Sequence, residues 1–134
     1  MSGGKLAASL TALVLAMSST ALAQEPLPLT VKDVKPALKP SGSPRFYPEV
    51  AQRAGVEGRA TALCDIAKNG DLINCTVSDE TPQGCQFGAA VVKLATAMRV
   101  PRRLEDGTPT AGRRYQFDLK FKLPNDMPVR ATSC

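Results

Sequence analysis

Four cysteines are the side chains whose types and spacing most directly suggest chemistry: Cys64, Cys75, Cys85 and Cys134. Their spacings contain no Cys-x-x-Cys pair and the chain has no histidine, which argues against a zinc site and against a thiol redox centre. We therefore expect no bound metal and two disulfides, for which four cysteines allow three pairings.

The elements that must position the first two cysteines form a predicted β-hairpin. Two β-prone segments flank Asn69-Gly70, a dipeptide typical of tight hairpin turns. A two-residue loop would place Cys64 opposite Cys75 and Ile66 opposite Ile73, all on one apolar face. Directly opposed residues at a hydrogen-bonded site have Cα atoms about 5.5 Å apart, a distance that a disulfide can span.

Two helices and a third strand complete the predicted domain. Pro48 and Gly55 bracket a short first helix. Apolar residues recur at helical spacing from residue 86 to residue 99, and Pro101 ends that second helix. Strict alternation of apolar and polar residues over 113–123 predicts a half-buried third strand.

This order, α-β-β-α-β, predicts an α+β domain with a three-stranded antiparallel sheet of spatial order 2-1-3 and both helices on one face. The third strand is then an edge with free backbone donors and acceptors. It ends near the start of the second helix, so the tail can bring Cys134 to Cys85. The topology therefore favours the pairing Cys64–Cys75 with Cys85–Cys134.

The chain divides by composition into four segments. Residues 1–23 resemble a secretory signal peptide, with Lys5, an apolar run and Ala21-Leu22-Ala23, although a short membrane anchor is an alternative. Residues 24–44 form a Pro-rich linker, of which residues 29–34 could pack on the domain or not. The folded domain spans 45–124, and residues 125–134 form an irregular tail that carries Cys134.

Composition excludes two broad classes of function. The net charge is only +5, and acidic residues are interspersed among the basic ones, which argues against nucleic-acid binding. The sequence has no histidine, no nucleophile with an adjacent base and no Gly-rich phosphate loop, so we expect neither an enzyme nor a bound cofactor.

The order of motifs resembles the C-terminal domain of the TonB energy-transducer family. The resemblance spans about residues 44–124, so the folded domain is interpreted as a TonB C-terminal-like domain. It rests on these matching stretches: Tyr47-Pro48-Glu49-Val50-Ala51-Gln52, Val56-Glu57-Gly58, Asn69-Gly70, Val77-Ser78, Phe87 with its Ala-rich helix, Arg99-Val100-Pro101, Gly107-Thr108-Pro109 and the strand over 117–123.

The resemblance implies an outer-membrane TonB-dependent receptor, or another cell-envelope protein, as the partner. Family domains recruit a transporter peptide, the TonB box, as a strand beside the third strand, which fits the predicted free edge. The partner-binding residues expected from this resemblance are Arg45, Phe46, Tyr115, Phe117, Leu119 and Phe121. The alternative is that Phe46 and Tyr47 have only a structural role and staple the start of the first helix.

Three functions follow as hypotheses. The favoured one is a periplasmic protein-binding module that engages transporter peptides by β-strand addition. The alternatives are a minimal energy transducer anchored in the inner membrane and facing the periplasm, and a structural envelope adaptor. The mature N-terminus separates the first two, since cleavage before Gln24 excludes the anchor. The family's N-terminal histidine and long spacer are missing here, and Met98 stands where the family usually has an aromatic residue.

Overall fold

A computed structural model of the chain describes residues 3–4, 11–16, 25–40 and 46–134. Most of the predicted signal segment and the candidate residue Arg45 lie outside the described residues. Among the described residues, no helix has the length and apolar character needed to cross a membrane. The elements, in chain order, are β1 (Ala37–Leu38), α1 (Glu49–Ala54), β2 (Gly58–Ile66), β3 (Leu72–Thr81), α2 (Phe87–Thr96), β4 (Met98–Arg99) and β5 (Arg114–Phe121).

The predicted α+β class is confirmed. In space, the main antiparallel sheet runs β3-β2-β5, so β2 lies in the centre and β5 at one side. The helix α2 packs on this sheet through Phe87 and Val91, both of which are fully buried. A second, two-stranded sheet joins β1 to β4 and was not predicted.

The hairpin between β2 and β3 exists, but its predicted register is wrong beside the turn. The Ala67 N–H donates to the Asp71 carbonyl, and the Gly70 N–H donates to the Ala67 carbonyl, both at 2.9 Å. The loop therefore has three residues, closed by Gly70 at a φ of 88°. This extra loop residue pairs Ile66 with Leu72 instead of Ile73.

The shift exchanges two side chains between the faces of the sheet. Leu72 is 1% exposed, whereas Ile73, predicted to be a core residue, is 41% exposed. An irregularity at Asn74, with a φ of 50°, then shifts the register back and brings Cys75 beside Cys64. The two cysteines form a disulfide with their Cα atoms 4.1 Å apart.

The helix α1 buries one residue, and α2 is shorter than the sequence pattern predicted. In α1 the buried residue is Ala51, while Val50 is exposed. The helix ends at Gly55, whose φ of 67° is the left-handed conformation of a C-cap. The helix α2 ends at Thr96, because Met98 leaves the helical path to pair with Leu38 in β1.

The tail is fixed to the domain at two points. Cys134 forms a disulfide with Cys85, which lies two residues before α2. The Arg130 N–H donates to the Gly55 carbonyl at 2.9 Å, and its guanidinium donates to the Arg53 carbonyl at 2.7 Å. The tail therefore covers the C-terminal end of α1.

Residues 25–40, which we call the N-terminal arm, lie along the domain. Leu29 and Val34 are buried in the core of the domain. Residues 29–34 therefore pack on the domain, which the sequence alone did not decide. Further along the arm, the Lys39 N–H donates to the Ala97 carbonyl, and the Lys39 ammonium lies 3.4 Å from the carboxylate of Asp71. The Pro-rich composition of this segment is thus compatible with docking.

Candidate functional site

The candidate site is the outer edge of β5. β5 pairs with β2 without interruption, from Gly58 opposite Phe121 to Asp65 opposite Arg114. Because backbone groups alternate in direction along a strand, the odd-numbered residues bond to β2 and the even-numbered residues point outward. The Arg114 carbonyl and the Gln116 N–H illustrate the outward direction, since both bond away from β2.

The side chains of the odd-numbered residues face the core. Tyr115, Phe117 and Phe121 are buried and Leu119 is half-buried. Phe121 packs against Phe87, with ring centroids 4.9 Å apart. Their role in partner binding stays a prediction, and along this strand a partner would meet backbone groups before it met these four side chains.

Tyr115 is held at both ends of its side chain. The ring is fully buried, and the hydroxyl donates to the Val34 carbonyl at 3.1 Å. Burial raises the pKa of this hydroxyl to about 12, with smaller contributions from the negative charges of Asp33 and Asp118. The tyrosine is therefore a neutral hydrogen-bond donor that joins β5 to the N-terminal arm.

The aromatic pair before α1, Phe46 and Tyr47, is partly buried. The Tyr47 hydroxyl donates to the Val56 carbonyl at 2.6 Å, and the ring makes edge-to-face contacts with Phe87 and Phe121. Burial, followed by the charge of Glu57, raises the pKa of Tyr47. Phe46 is half-buried beside it, and its predicted contact with a partner stays a prediction.

Part of the β5 edge is already occupied, which corrects the expectation that this edge is free along its whole length. The Leu29 N–H donates to the Arg114 carbonyl at 2.8 Å, and the Gln116 N–H donates to the Leu29 carbonyl at 2.7 Å. Leu29 thereby forms a parallel bridge with Tyr115. The alternation of Leu27, Leu29 and Val31 was a signal for such an extended segment, but the prolines around it favoured a linker interpretation.

The rest of the edge carries no such bridge. Among the described residues, no backbone hydrogen bond reaches the outward groups of Asp118 and Lys120. The side chain of Asp118 is engaged on the open face of the sheet, where it accepts from the Thr61 hydroxyl at 2.6 Å and from the Gln116 amide at 3.1 Å. The outward backbone groups of Asp118 and Lys120 are therefore available, while the side chain of Asp118 is held on the open face.

A metal ion is held by several ligating side chains that lie close together. Within residues 3–4, 11–16, 25–40 and 46–134, no cluster of three or more His, Cys, Asp or Glu side chains could hold one. All four cysteines are engaged in disulfides.

Comparisons with known proteins identify the family. The family model described as Gram-negative bacterial TonB protein C-terminal matches residues 43–123. The solution NMR structure of the TonB C-terminal domain from Pseudomonas aeruginosa is similar at a TM-score of 0.50 and 25% identity, over 72% of this chain and 94% of that one. The TonB2 protein from Vibrio anguillarum gives a TM-score of 0.49 and 21% identity, over 66% of this chain and 83% of that one.

A comparison with curated protein sequences gave no match. The match of the family model covers the whole predicted domain from the first helix to the end of β5. This chain therefore belongs to the family of Gram-negative bacterial TonB protein C-terminal domains.

Proposed function

We propose that this protein is a periplasmic binding module for TonB-dependent transport, which takes up a peptide of an outer-membrane transporter as an added strand on β5. Family membership supports the role in transport and the absence of a catalytic role. The observation that carries the proposal is the outward backbone of residues 118–120 on an otherwise regular strand.

The two outer strands of the sheet differ in their fitness for strand addition. The register between β2 and β3 shifts twice, and Asn74 departs from the extended conformation. Such bulges interrupt the regular spacing of donors and acceptors on which a further strand depends. The register between β2 and β5 has no shift over eight residue pairs, so β5 offers the regular ladder.

In strand addition at β5, affinity and selectivity would come from different groups. Backbone groups of Asp118 and Lys120 supply hydrogen bonds to any extended peptide, whatever its sequence. Selection then comes from the peptide's side chains, which alternate between the open face and the side of the core. On the open face they would meet Gln116, Asp118 and Lys120, a surface with charges of both signs.

A proline substitution in the strand tests this proposal. Lys120→Pro removes an outward N–H, which an edge strand tolerates, and Lys120→Ala is its control because it retains that N–H. Leu119→Pro is unsuitable, since the Leu119 N–H faces β2 and its loss would disrupt the sheet.

The measurement is a titration of the isotope-labelled full chain with a TonB-box peptide, followed by NMR of the backbone amides. We expect perturbation of the amides of residues 117–121 in the natural chain and in Lys120→Ala, and a strong loss of affinity in Lys120→Pro. An absence of perturbation at millimolar peptide in the natural chain would refute the proposal. Equal affinity of the two variants would place the peptide elsewhere.

A further inference from the structure

We propose that the N-terminal arm is a built-in competitor for the β5 edge, and that a partner strand longer than the open part of the edge must displace it. This inference rests on the proposed function, because it concerns the same edge. The competing segment is part of the same chain, residues 27–34.

The arm uses the backbone groups that a partner strand would need. Leu29 accepts from the Gln116 N–H and donates to the Arg114 carbonyl, which are the outward groups next along the strand from Asp118. An added strand that starts at Lys120 and continues past Asp118 therefore reaches Leu29. Both segments cannot bond to one set of donors and acceptors.

The side chain of Leu29 gives the docked arm its apolar anchor. Leu29 is 4% exposed and belongs to the core, whereas Leu27, two residues earlier on the same segment, is 85% exposed. A partner that replaces the arm would leave this site empty unless it supplied an apolar side chain of similar size. We therefore expect the displacing peptide to carry an aliphatic residue at the position opposite Tyr115.

Two backbone hydrogen bonds, both at Leu29, hold the arm to the β5 edge, and two side chains of the domain add hydrogen bonds to carbonyls of the same segment. Directly after Leu29 the chain turns away from the edge: the Thr30 N–H donates to the Asp33 carboxylate at 2.8 Å, and the Val34 N–H donates to the Thr30 carbonyl at 3.1 Å. This turn limits the arm to a single bridge on β5. A partner that forms several bridges has more backbone bonds to offer than the two it replaces.

Competition of this kind lowers the apparent affinity for a peptide by the fraction of molecules in which the arm is released. Weakening the arm must therefore strengthen peptide binding, which is the opposite of the effect expected from damage to a binding site. Leu29→Ala removes the buried anchor, and Leu27→Ala is the matched control because it removes the same atoms from an exposed position. Asp33→Ala weakens the turn without altering a buried residue, and serves if Leu29→Ala disturbs the core.

The experiment compares the affinity of a TonB-box peptide for the full-length natural chain and the three variants. Hydrogen exchange of the Gln116 amide reports whether the arm is docked. We expect Leu29→Ala to bind the peptide about tenfold more tightly or better and to lose protection at Gln116, since a buried leucine contributes well over one tenfold step in equilibrium. Asp33→Ala should change in the same direction, and Leu27→Ala should match the natural chain.

The outcomes separate this inference from the proposed function. If the peptide perturbs residues 118–120 with equal affinity in all four proteins, the competition is refuted while strand addition stands. If the TonB-box peptide binds none of them, the proposed partner is wrong.

A synthetic peptide of residues 25–36 then decides the inference alone. Binding of that peptide at Gln116 in Leu29→Ala, but not in Leu27→Ala, supports competition for the edge. Binding to neither refutes it.

Discussion

The disulfide between Cys85 and Cys134 makes a quantitative prediction about stability. It joins residues 49 apart in sequence, whereas the Cys64–Cys75 disulfide joins residues 11 apart. In the chain-entropy model, the longer loop restricts the unfolded chain by about 4 kcal/mol and the shorter one by about 3 kcal/mol. The double substitution C85A/C134S removes the longer cross-link. It should therefore lower the free energy of unfolding by at most about 4 kcal/mol.

The structure reduces the expected loss below that ceiling. Without the disulfide, the tail is held through Arg130, whose two hydrogen bonds reach the carbonyls of Gly55 and Arg53. Such bonds contribute little net free energy, so part of the tail can detach and the folded state regains chain entropy. We therefore expect a loss of about 2 to 3 kcal/mol in the free energy of unfolding.

Urea denaturation followed by far-ultraviolet circular dichroism measures this loss. The full chain and C85A/C134S are compared at 25 °C, with Ser133→Ala as a control that changes an exposed neighbour in the tail. Hydrogen exchange at the Arg130 amide is measured in parallel and should lose protection. A loss below about 1 kcal/mol with protection retained would refute the reasoning, because the tail would then be fixed without its cross-link.

Two further predictions concern a close packing contact and the two tyrosines. In Gly58→Ala the new Cβ would fall on the Phe87 ring and the Thr81 backbone carbonyl, so we expect a loss of about 1 to 3 kcal/mol in thermal unfolding. In Gly88→Ala the nearest atoms to the new Cβ belong to the side chains of Glu80 and Val77, which can move, and alanine favours the helix by up to about 1 kcal/mol. Equal destabilisation by the two variants would contradict this account. The pKa of Tyr115 is raised to about 12 from an ordinary value of 10.0. Between these two pH values the folded state keeps a proton that the unfolded state loses. The free energy of unfolding should therefore fall as the pH rises from about 10 to about 12. In Tyr47→Phe, ultraviolet absorbance reports Tyr115 alone, and tyrosinate formation near pH 10 in a folded chain would contradict the assignment.

The hairpin shows where local sequence information ends. Asn69-Gly70 identified a turn, and the glycine does adopt the positive φ that the pattern predicted. Two-residue and three-residue loops both accept glycine at their last position, so the dipeptide alone does not fix the register. In the structure the loop packs on a distant segment, where the Val100 N–H donates to the Gly70 carbonyl at 2.9 Å. That tertiary contact has no counterpart in the hairpin sequence.

The candidate site, like the hairpin, was predicted from the sequence only in part. Alternation over 113–123 was sufficient to predict β5 and the direction of its side chains, because period-2 patterning reflects burial of one face. The docking of Leu29 was not predictable, since it depends on pairing across more than eighty residues, and the prolines in between resemble those of a linker. The predicted edge was therefore placed on the correct strand but described as longer than it is.

The positions of the two disulfides bear on the proposed addition of a strand at β5. One cross-link joins β2 to β3, and the other joins the start of α2 to the tail. Neither of them includes a residue of β5, although Cys64 lies opposite Tyr115 in the ladder, and β5 is held by this ladder to β2 and by buried aromatic side chains. A strand added outside β5 would thus bond to an element whose inner neighbour, β2, is covalently fixed to the rest of the sheet. In the proposed function, the cross-linked sheet is thus the support, and the non-covalently bound arm is the part of the edge that a partner strand would displace.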